Sequence, residues 1–299
     1  MTDLTDWRRF YAEEVAVTAN LRTTALVEAL ATVRRESFLP PGPWVIRGDA
    51  DFMSPLRQTP GDDPRHVYHN LAIGIDPARM LFNGAPGLLC AMIDALALTP
   101  GARVLHVGAG TGYYSALMAQ VVGPTGRVVA VEVDQSLAAT ATRQLASMPW
   151  VTVVHGNGMS GSPGLEGPFD AILVNAGVTH PEPQWLAALA PGGRLNVPLT
   201  ATMGQAAAAH PAGAAMANIG KGLIVQVTKG EAAHFAARLL TFVAIYSALG
   251  LRDDAVNAAL GQAMAKMPMP PLTRFRLDPH EPDASCWCHT GKGCWGTGK

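Results

Sequence analysis

Charge is scarce in this sequence. Only 15% of its 299 residues are Asp, Glu, Lys or Arg, and 22 basic residues against 23 acidic ones leave a formal net charge of −1. Without a basic excess the chain carries no electrostatic footprint for nucleic acid or for an anionic membrane surface. It also lacks an uncharged apolar run of about 18 residues, so no bilayer span is expected. The first nine residues hold Asp3 and Asp6 and no apolar segment, and so do not read as a secretory signal. The four cysteines are Cys90, alone, and Cys286, Cys288 and Cys294 near the end. That usage argues against a disulfide framework and for a reducing, cytoplasmic setting. Apolar residues, by contrast, make up 48% of the chain, ample for a large buried core.

The stretch from Arg103 to Glu132 organises the rest. Val104, Leu105 and Val107 form a short apolar run that ends at Gly108-Ala-Gly110-Thr-Gly112. Ala116, Leu117, Ala119 and Gln120 then fall on helical spacing, and Gly123-Pro124 stops the helix. Val128 to Val133 is a second buried strand. Strand, glycine loop, helix and strand make one half of a nucleotide-binding fold. A dinucleotide fingerprint would place its third glycine one residue later, where Tyr113 stands. Glu132 lies 20 residues after Gly112, at the end of the second strand, where an acid can accept both hydroxyls of a ribose. An adenosine without a pyrophosphate suits this loop, and S-adenosylmethionine is the cofactor expected. The alternative reading is a structural strand-turn-helix with incidental glycines.

Alternation continues on both sides. Residues 1–40 read as two helices, with Trp7, Phe10, Tyr11 and Val15 on one face of the first and Leu26, Leu30 and Val33 on one face of the second. Residues 44–66 read as a polar loop, with Trp44 and Phe52 turned inward, and a loop of that length is a candidate substrate-side element. Downstream come a helix at 135–148, strands at 151–155, 171–174 and 194–198, and a hairpin from 223–227 and 239–246. The expected fold is α/β: a doubly wound, mostly parallel seven-stranded sheet with a terminal antiparallel hairpin. Three regions follow: residues 1–100, helical with the substrate loop; 101–248, Rossmann-like; and 249–299, a helix and an irregular tail.

Several segments, in order, resemble the protein-L-isoaspartate O-methyltransferase family within the class I S-adenosylmethionine-dependent methyltransferases. They are Val33–Pro40, Tyr68–Gly74, Arg103–Tyr113, Gly126–Glu132, His155-Gly-Asn-Gly158, Pro168–Val174 and Pro191-Gly-Gly-Arg-Leu195. The resemblance runs from about residue 22 to 246 and implies that Gly108, Gly110, Gly112 and Glu132 bind S-adenosylmethionine. It places Asn157 where the family has an aspartate facing the adenine amino group, and an Asn carbonyl can accept the same hydrogen bond. His106 stands where the family has an acid; it is either part of the cofactor site or a core histidine. Asn175, at the C-terminal end of its strand, is a better ligand candidate than Asp170 at the other end.

The family's substrate loop, Gln-Thr-Ile-Ser-x-Pro, is represented here by Met80-Leu-Phe-Asn83-Gly84-Ala-Pro86. Gly84 takes the serine's place, and Asn83 is the nearest polar side chain. It is the candidate catalytic residue, donating to a substrate carboxylate, or else it only shapes a turn with Gly84. Poor activity on simple isoaspartyl peptides is expected, with Gly84→Ser raising it if the missing hydroxyl alone limits it. The implied partner is a protein, peptide or small-molecule carboxylate, and the oligomeric state stays open. Alternatives are methylation of a hydroxyl or amine, or a silent cofactor-binding protein whose tail engages a partner. In the tail, Cys286, Cys288, Cys294 and His289 or His280 are ligands that suit zinc, but the Cys-x-Cys gap is shorter than usual. The expectation is a tail packed through Trp287 and Trp295, with no metal required.

Overall fold

The computed structural model describes residues 3–48, 55–159, 164–202, 219–231, 234–266 and 268–298. By contact the chain divides into two units, Met1–Val104 with Ala109–His155, and Leu105–Gly108 with Gly156–Lys299.

In the first unit, helix α1 (Thr5–Thr18) buries Tyr11, Ala12 and Val15, a stripe one helical turn long. Trp7 and Phe10, expected on that face, are 42% and 61% exposed. Phe10 sits one residue, about 100°, off the stripe, and the Trp7 ring lies against the Arg65 guanidinium at 5.5 Å. Helix α2 (Thr24–Thr32) buries Leu26, Ala29 and Leu30.

The polar stretch expected as a loop contains two short strands, β1 (Val45–Arg47) and β2 (Arg57–Gln58). With β3 (Ala72–Asp76) and β4 (Leu81–Phe82) they form a four-stranded sheet in the order β2-β1-β3-β4. Trp44, Val67 and Ile73 make its small core. Strands of two or three residues are too short to show a period, which is why the pattern reads as loop. Trp44 is buried as expected, whereas Phe52 lies outside the described residues.

Helix α3 (Pro86–Leu96) leads into β5 (Arg103–Val107), α4 (Tyr113–Val122) and β6 (Arg127–Glu132), and then α5 (Gln135–Gln144) and β7 (Val151–His155). Gly123, in the left-handed region at φ 67°, ends α4 as expected. Asp134 caps α5, accepting from Ser136 N at 2.9 Å and Leu137 N at 3.0 Å. The strand order is β5-β6-β7, with β6 and β7 parallel and Val128 opposite Val151.

In the second unit, β8 (Phe169–Val174), α6 (Pro183–Ala188) and β9 (Leu189–Ala201) are followed by the hairpin β10 (Ile219–Lys229) and β11 (Phe235–Tyr246). Strand β9 starts earlier than expected. The Pro191-Gly-Gly segment lies inside it, where the β8 register jumps from Phe169↔Leu189 to Ala171↔Arg194. The Ala-rich stretch at 203–218 lies outside the described residues. After α7 (Asp254–Ala265), the tail read as irregular forms β12 (Arg274–Arg276), β13 (Cys286–Thr290) and β14 (Gly293–Gly296). The order is β13-β14-β12-β11-β10-β9-β8-β5. The seven strands expected from the sequence are β5 to β11, and the tail adds three antiparallel ones. The fold is a Rossmann-like mixed sheet with flanking helices.

One buried cation ties the first unit together. Arg35 has no exposed surface, and its guanidinium donates to Val67 O at 2.6 Å, His69 O at 2.8 Å and Leu71 O at 2.7 Å. The Tyr11 and Tyr113 rings lie 5.6 and 5.8 Å from its Cζ, so aromatic faces complete the charge's surroundings. This clamp holds the segment that enters β3. Arg35→Met leaves those carbonyls without their donor, at about 1–3 kcal/mol for each one that water cannot reach. Urea unfolding is expected to show a loss of about 3 kcal/mol; a loss below about 1 kcal/mol would contradict the clamp.

Candidate active site

The glycine loop is built by backbone conformations that side chains resist. Gly108, Gly110 and Gly112 have φ of 84°, 57° and 98°, a region natural to glycine and strained for other residues. At Gly108 space is also short, since a Cβ would lie 3.1 Å from Asn175 O. The loop therefore leaves β5 sharply and presents backbone rather than side chains.

Glu132, the last residue of β6, is 7% exposed. Its Oε2 accepts from Gly110 N at 2.7 Å and its Oε1 from Asp134 N at 3.0 Å. The carboxylate thus fixes the middle of the loop and the turn after β6. Each oxygen has a second lone pair, so both can still accept from a diol. Tyr113, where a dinucleotide fold would have glycine, is buried, with its hydroxyl 3.2 Å from the Tyr11 hydroxyl.

Asn83 is also in the first unit and is 8% exposed. Its backbone N donates to Ile73 O at 2.9 Å, and its Oδ1 accepts from Ile73 N at 3.0 Å. Because an N–H faces it, that side-chain atom must be the carbonyl oxygen, which fixes the amide's orientation. The other end, Nδ2, is buried without a hydrogen-bond partner among the described residues. A buried amide donor left unpaired costs free energy, so its persistence asks for a reason. Next to it, Gly84 has φ 81°, and a Cβ there would lie 2.9 Å from Leu89 Cδ2. Serine at position 84 is therefore strained and crowded, and the expected gain from Gly84→Ser is withdrawn.

The remaining candidates lie in the second unit. Asn175 follows β8; its N donates to Val107 O at 2.8 Å, and its Nδ2 lies 3.4 Å from Gly108 O. Asn157 Oδ1 accepts from Met159 N at 3.0 Å, an Asx turn that uses one of the two lone pairs expected to serve adenine. Gly158 O accepts from Gln184 Nε2 at 2.6 Å and Trp185 Nε1 at 2.9 Å, which anchors that turn on α6. Asp170, at the start of β8, is exposed.

Sequence reasoning passed over Thr179-His180-Pro-Glu182. His180 is 6% exposed, with Nδ1 2.9 Å from Thr179 Oγ1 and Nε2 3.5 Å from Glu182 Oε1. Burial pushes the His180 pKa down and that of Glu182 up, so the ring is neutral at pH 7 and the contact is not an ion pair. The available signal was position: the segment follows β8, and open α/β sheets bind ligands beyond the carboxyl ends of their strands.

A glycine loop in the left-handed region, an acid closing the next parallel strand and a mixed Rossmann-like sheet define the class I S-adenosylmethionine-dependent methyltransferases. A solved protein-L-isoaspartate O-methyltransferase structure superimposes with a TM-score of 0.62 at 22% identity, over 91% of this chain and 73% of the other. The enzyme of that name from Aeropyrum pernix is 37% identical over 58% of this chain. The one from Methylorubrum extorquens is 36% identical over 68% of this chain and 78% of its own length. The chain spans 59% of the length of the Aeropyrum relative. The sequence model of the protein-L-isoaspartate (D-aspartate) O-methyltransferase family matches residues 61–231. The chain belongs to that family. Among the described residues no helix is long and apolar enough to cross a membrane.

His106, on β5, has no exposed surface, and burial holds its pKa down at about 3. It is neutral at pH 7 and brings no charge to the loop that follows. Its unfolded-state value is near 6.5, so the unfolded chain takes up the proton first as pH falls. The stability this residue allows is present above about pH 6.5 and is lost towards about pH 3, at roughly 1.4 kcal/mol per pH unit. Urea unfolding at pH 7 and pH 5 is expected to show that extra slope in the wild type and not in His106→Gln. Parallel curves for the two proteins would place the ring in contact with solvent.

Proposed function

We propose that the protein transfers a methyl group from S-adenosylmethionine to a carboxylate, the side chain or isopeptide-shifted carboxyl of an aspartyl residue in a protein or peptide. The observation that carries this reading is the Asn83 amide, held by Ile73 through its carbonyl while its N–H donors have no partner among the described residues. A neutral donor suits a carboxylate better than it suits an amine or a hydroxyl, whose lone pair is needed for attack.

The residues fit the cofactor. Glu132 would hold the ribose hydroxyls, and the glycine loop would let backbone approach the ligand. When bound, S-adenosylmethionine supplies an activated methyl group and its own leaving group. The acceptor carboxylate is ionised above about pH 4, so the chain need not remove a proton. Its task is to align oxygen with carbon and exclude water, and orientation alone contributes about 7–11 kcal/mol. The Asn83 donor, Leu81 and Phe82 serve that task. Free Cys90, Cys286, Cys288 and Cys294 support a cytoplasmic location.

Two measurements test the proposal. In the first, methyl label transferred to aspartyl or isoaspartyl peptide should be released by base as methanol, the behaviour of an ester. Asn83→Ala should lower kcat/KM by about 1.5–3 kcal/mol, roughly 10- to 150-fold, and leave cofactor affinity unchanged. A base-stable product, or full activity in the variant, would overturn the carboxylate reading. In the second, Glu132→Ala should weaken S-adenosylmethionine binding by about 1.5–3 kcal/mol in calorimetry. Unchanged affinity would remove Glu132 from the cofactor site.

A further inference from the structure

The tail assembles a set of soft ligands that the methyl-transfer reading does not use. Ligand atoms of His280, Cys286, His289 and Cys294 all lie within 4.8 Å of one another. The hairpin β13–β14 supplies three of them. His289 and Cys294 are directly opposite across the two strands, so their side chains share a face. Cys286 stands three residues before His289, and in a regular strand that spacing would put it on the opposite face. The register, however, shifts between Cys286 and Cys288, since Cys286 pairs with Gly296 and Cys288 with Trp295. One extra residue in the strand reverses the alternation and returns Cys286 to the face of His289 and Cys294. Cys288, next to His289 in the regular part of the strand, falls on the other face and is buried there, at 4% exposure.

His280 reaches the cluster from the chain before β13. Its Nδ1 lies 2.8 Å from Asp278 O and donates to it, so in the neutral ring Nε2, 3.6 Å from Cys286 Sγ, is the nitrogen open to an ion. An imidazole oriented by a backbone carbonyl through one nitrogen is the usual arrangement of a metal ligand. Asp283 N donates towards Cys286 Sγ at 3.5 Å, which holds the sulfur in place beside His280. His289 Nδ1 is buried without a hydrogen-bond partner among the described residues. The His280 and His289 rings meet edge to face with centroids 4.6 Å apart, close enough to converge on one ion.

We propose that His280, Cys286, His289 and Cys294 form a structural zinc(II) site. Zinc bonds of about 2.3 Å to sulfur and about 2.0–2.1 Å to nitrogen, at tetrahedral angles, separate neighbouring ligand atoms by roughly 3.3–3.8 Å. The His280–Cys286 separation already meets that value, and the widest pair closes by about an ångström. Two thiolates and two neutral imidazoles make a neutral four-coordinate complex, which leaves no open position for a substrate. The ion staples the loop before β13 to the hairpin that extends the sheet. This replaces the metal-free tail expected from sequence. The Cys-x-Cys gap that argued against a metal is irrelevant, because Cys288 is not a ligand.

The test is metal analysis of the full chain purified without added metal. About one zinc per chain is expected, released by chelator with a fall in melting temperature. Cobalt(II) added to the stripped protein should give the intense visible bands of a tetrahedral site and a thiolate charge-transfer band. Cys288→Ser should retain both properties, and Cys286→Ser and Cys294→Ser should lose them. The cobalt titration of the wild type and of Cys288→Ser does not require the ligand variants to fold. Absence of zinc together with absence of a tetrahedral cobalt spectrum would overturn the proposal. So would loss of metal in Cys288→Ser, or its retention in Cys286→Ser.

Discussion

The hydrogen bonds of the Glu132 carboxylate are the constraint on which the rest of the site depends. Gly110 N and Asp134 N converge on its two oxygens, so one side chain fixes both the glycine loop and the turn that starts α5. The loop's φ values of 57–98° cost least for glycine, yet glycine is also the residue with most freedom to lose. A charge-assisted bond to the loop's central amide offsets that loss. Under the proposed function the same carboxylate holds the cofactor's ribose. Protein rigidity and cofactor affinity are then linked through one group, and ligand binding finds the loop already shaped.

Much of this was legible in the sequence. The seven strands β5 to β11, the helix after the glycines and the position of Glu132 follow from local patterns: apolar runs of strand length, glycine at turns and an acid at a fixed offset. What escaped the reading depends on distant partners or on spacing too short for a pattern. Strands β1 and β2 have three and two residues. The Arg35 clamp closes on carbonyls 32 to 36 residues away, and no local signal marks a buried arginine that pairs with backbone. Asn83 was found by counting back from Pro86, but the crowding of a Gly84 side chain by Leu89 is visible only in space. In the tail, one bulge changes which cysteines share a face. A reading by alternation alone would group Cys286 with Cys288.

In the second unit the sheet continues past the hairpin into the tail. Strand β11 would be an edge, and exposed edges invite unwanted pairing. Here β12 pairs with the start of β11, with Phe235 opposite Phe275, and β14 pairs with β12 in turn, with the Phe275 and Trp295 rings 4.3 Å apart. Trp295 and Trp287 are buried, so the expected aromatic packing is part of how the tail is held. The proposed zinc site acts at the outermost hairpin of the sheet.

A crystal structure with S-adenosylhomocysteine would decide whether Glu132 and Asn83 hold the roles assigned to them. Both ribose hydroxyls are expected within hydrogen-bond distance of the Glu132 carboxylate, with the Gly110 N–H still bound to it and the Asn83 amide facing the space beyond the sulfur. A ligand seated away from Glu132, or an Asn83 amide turned from that space, would contradict those roles.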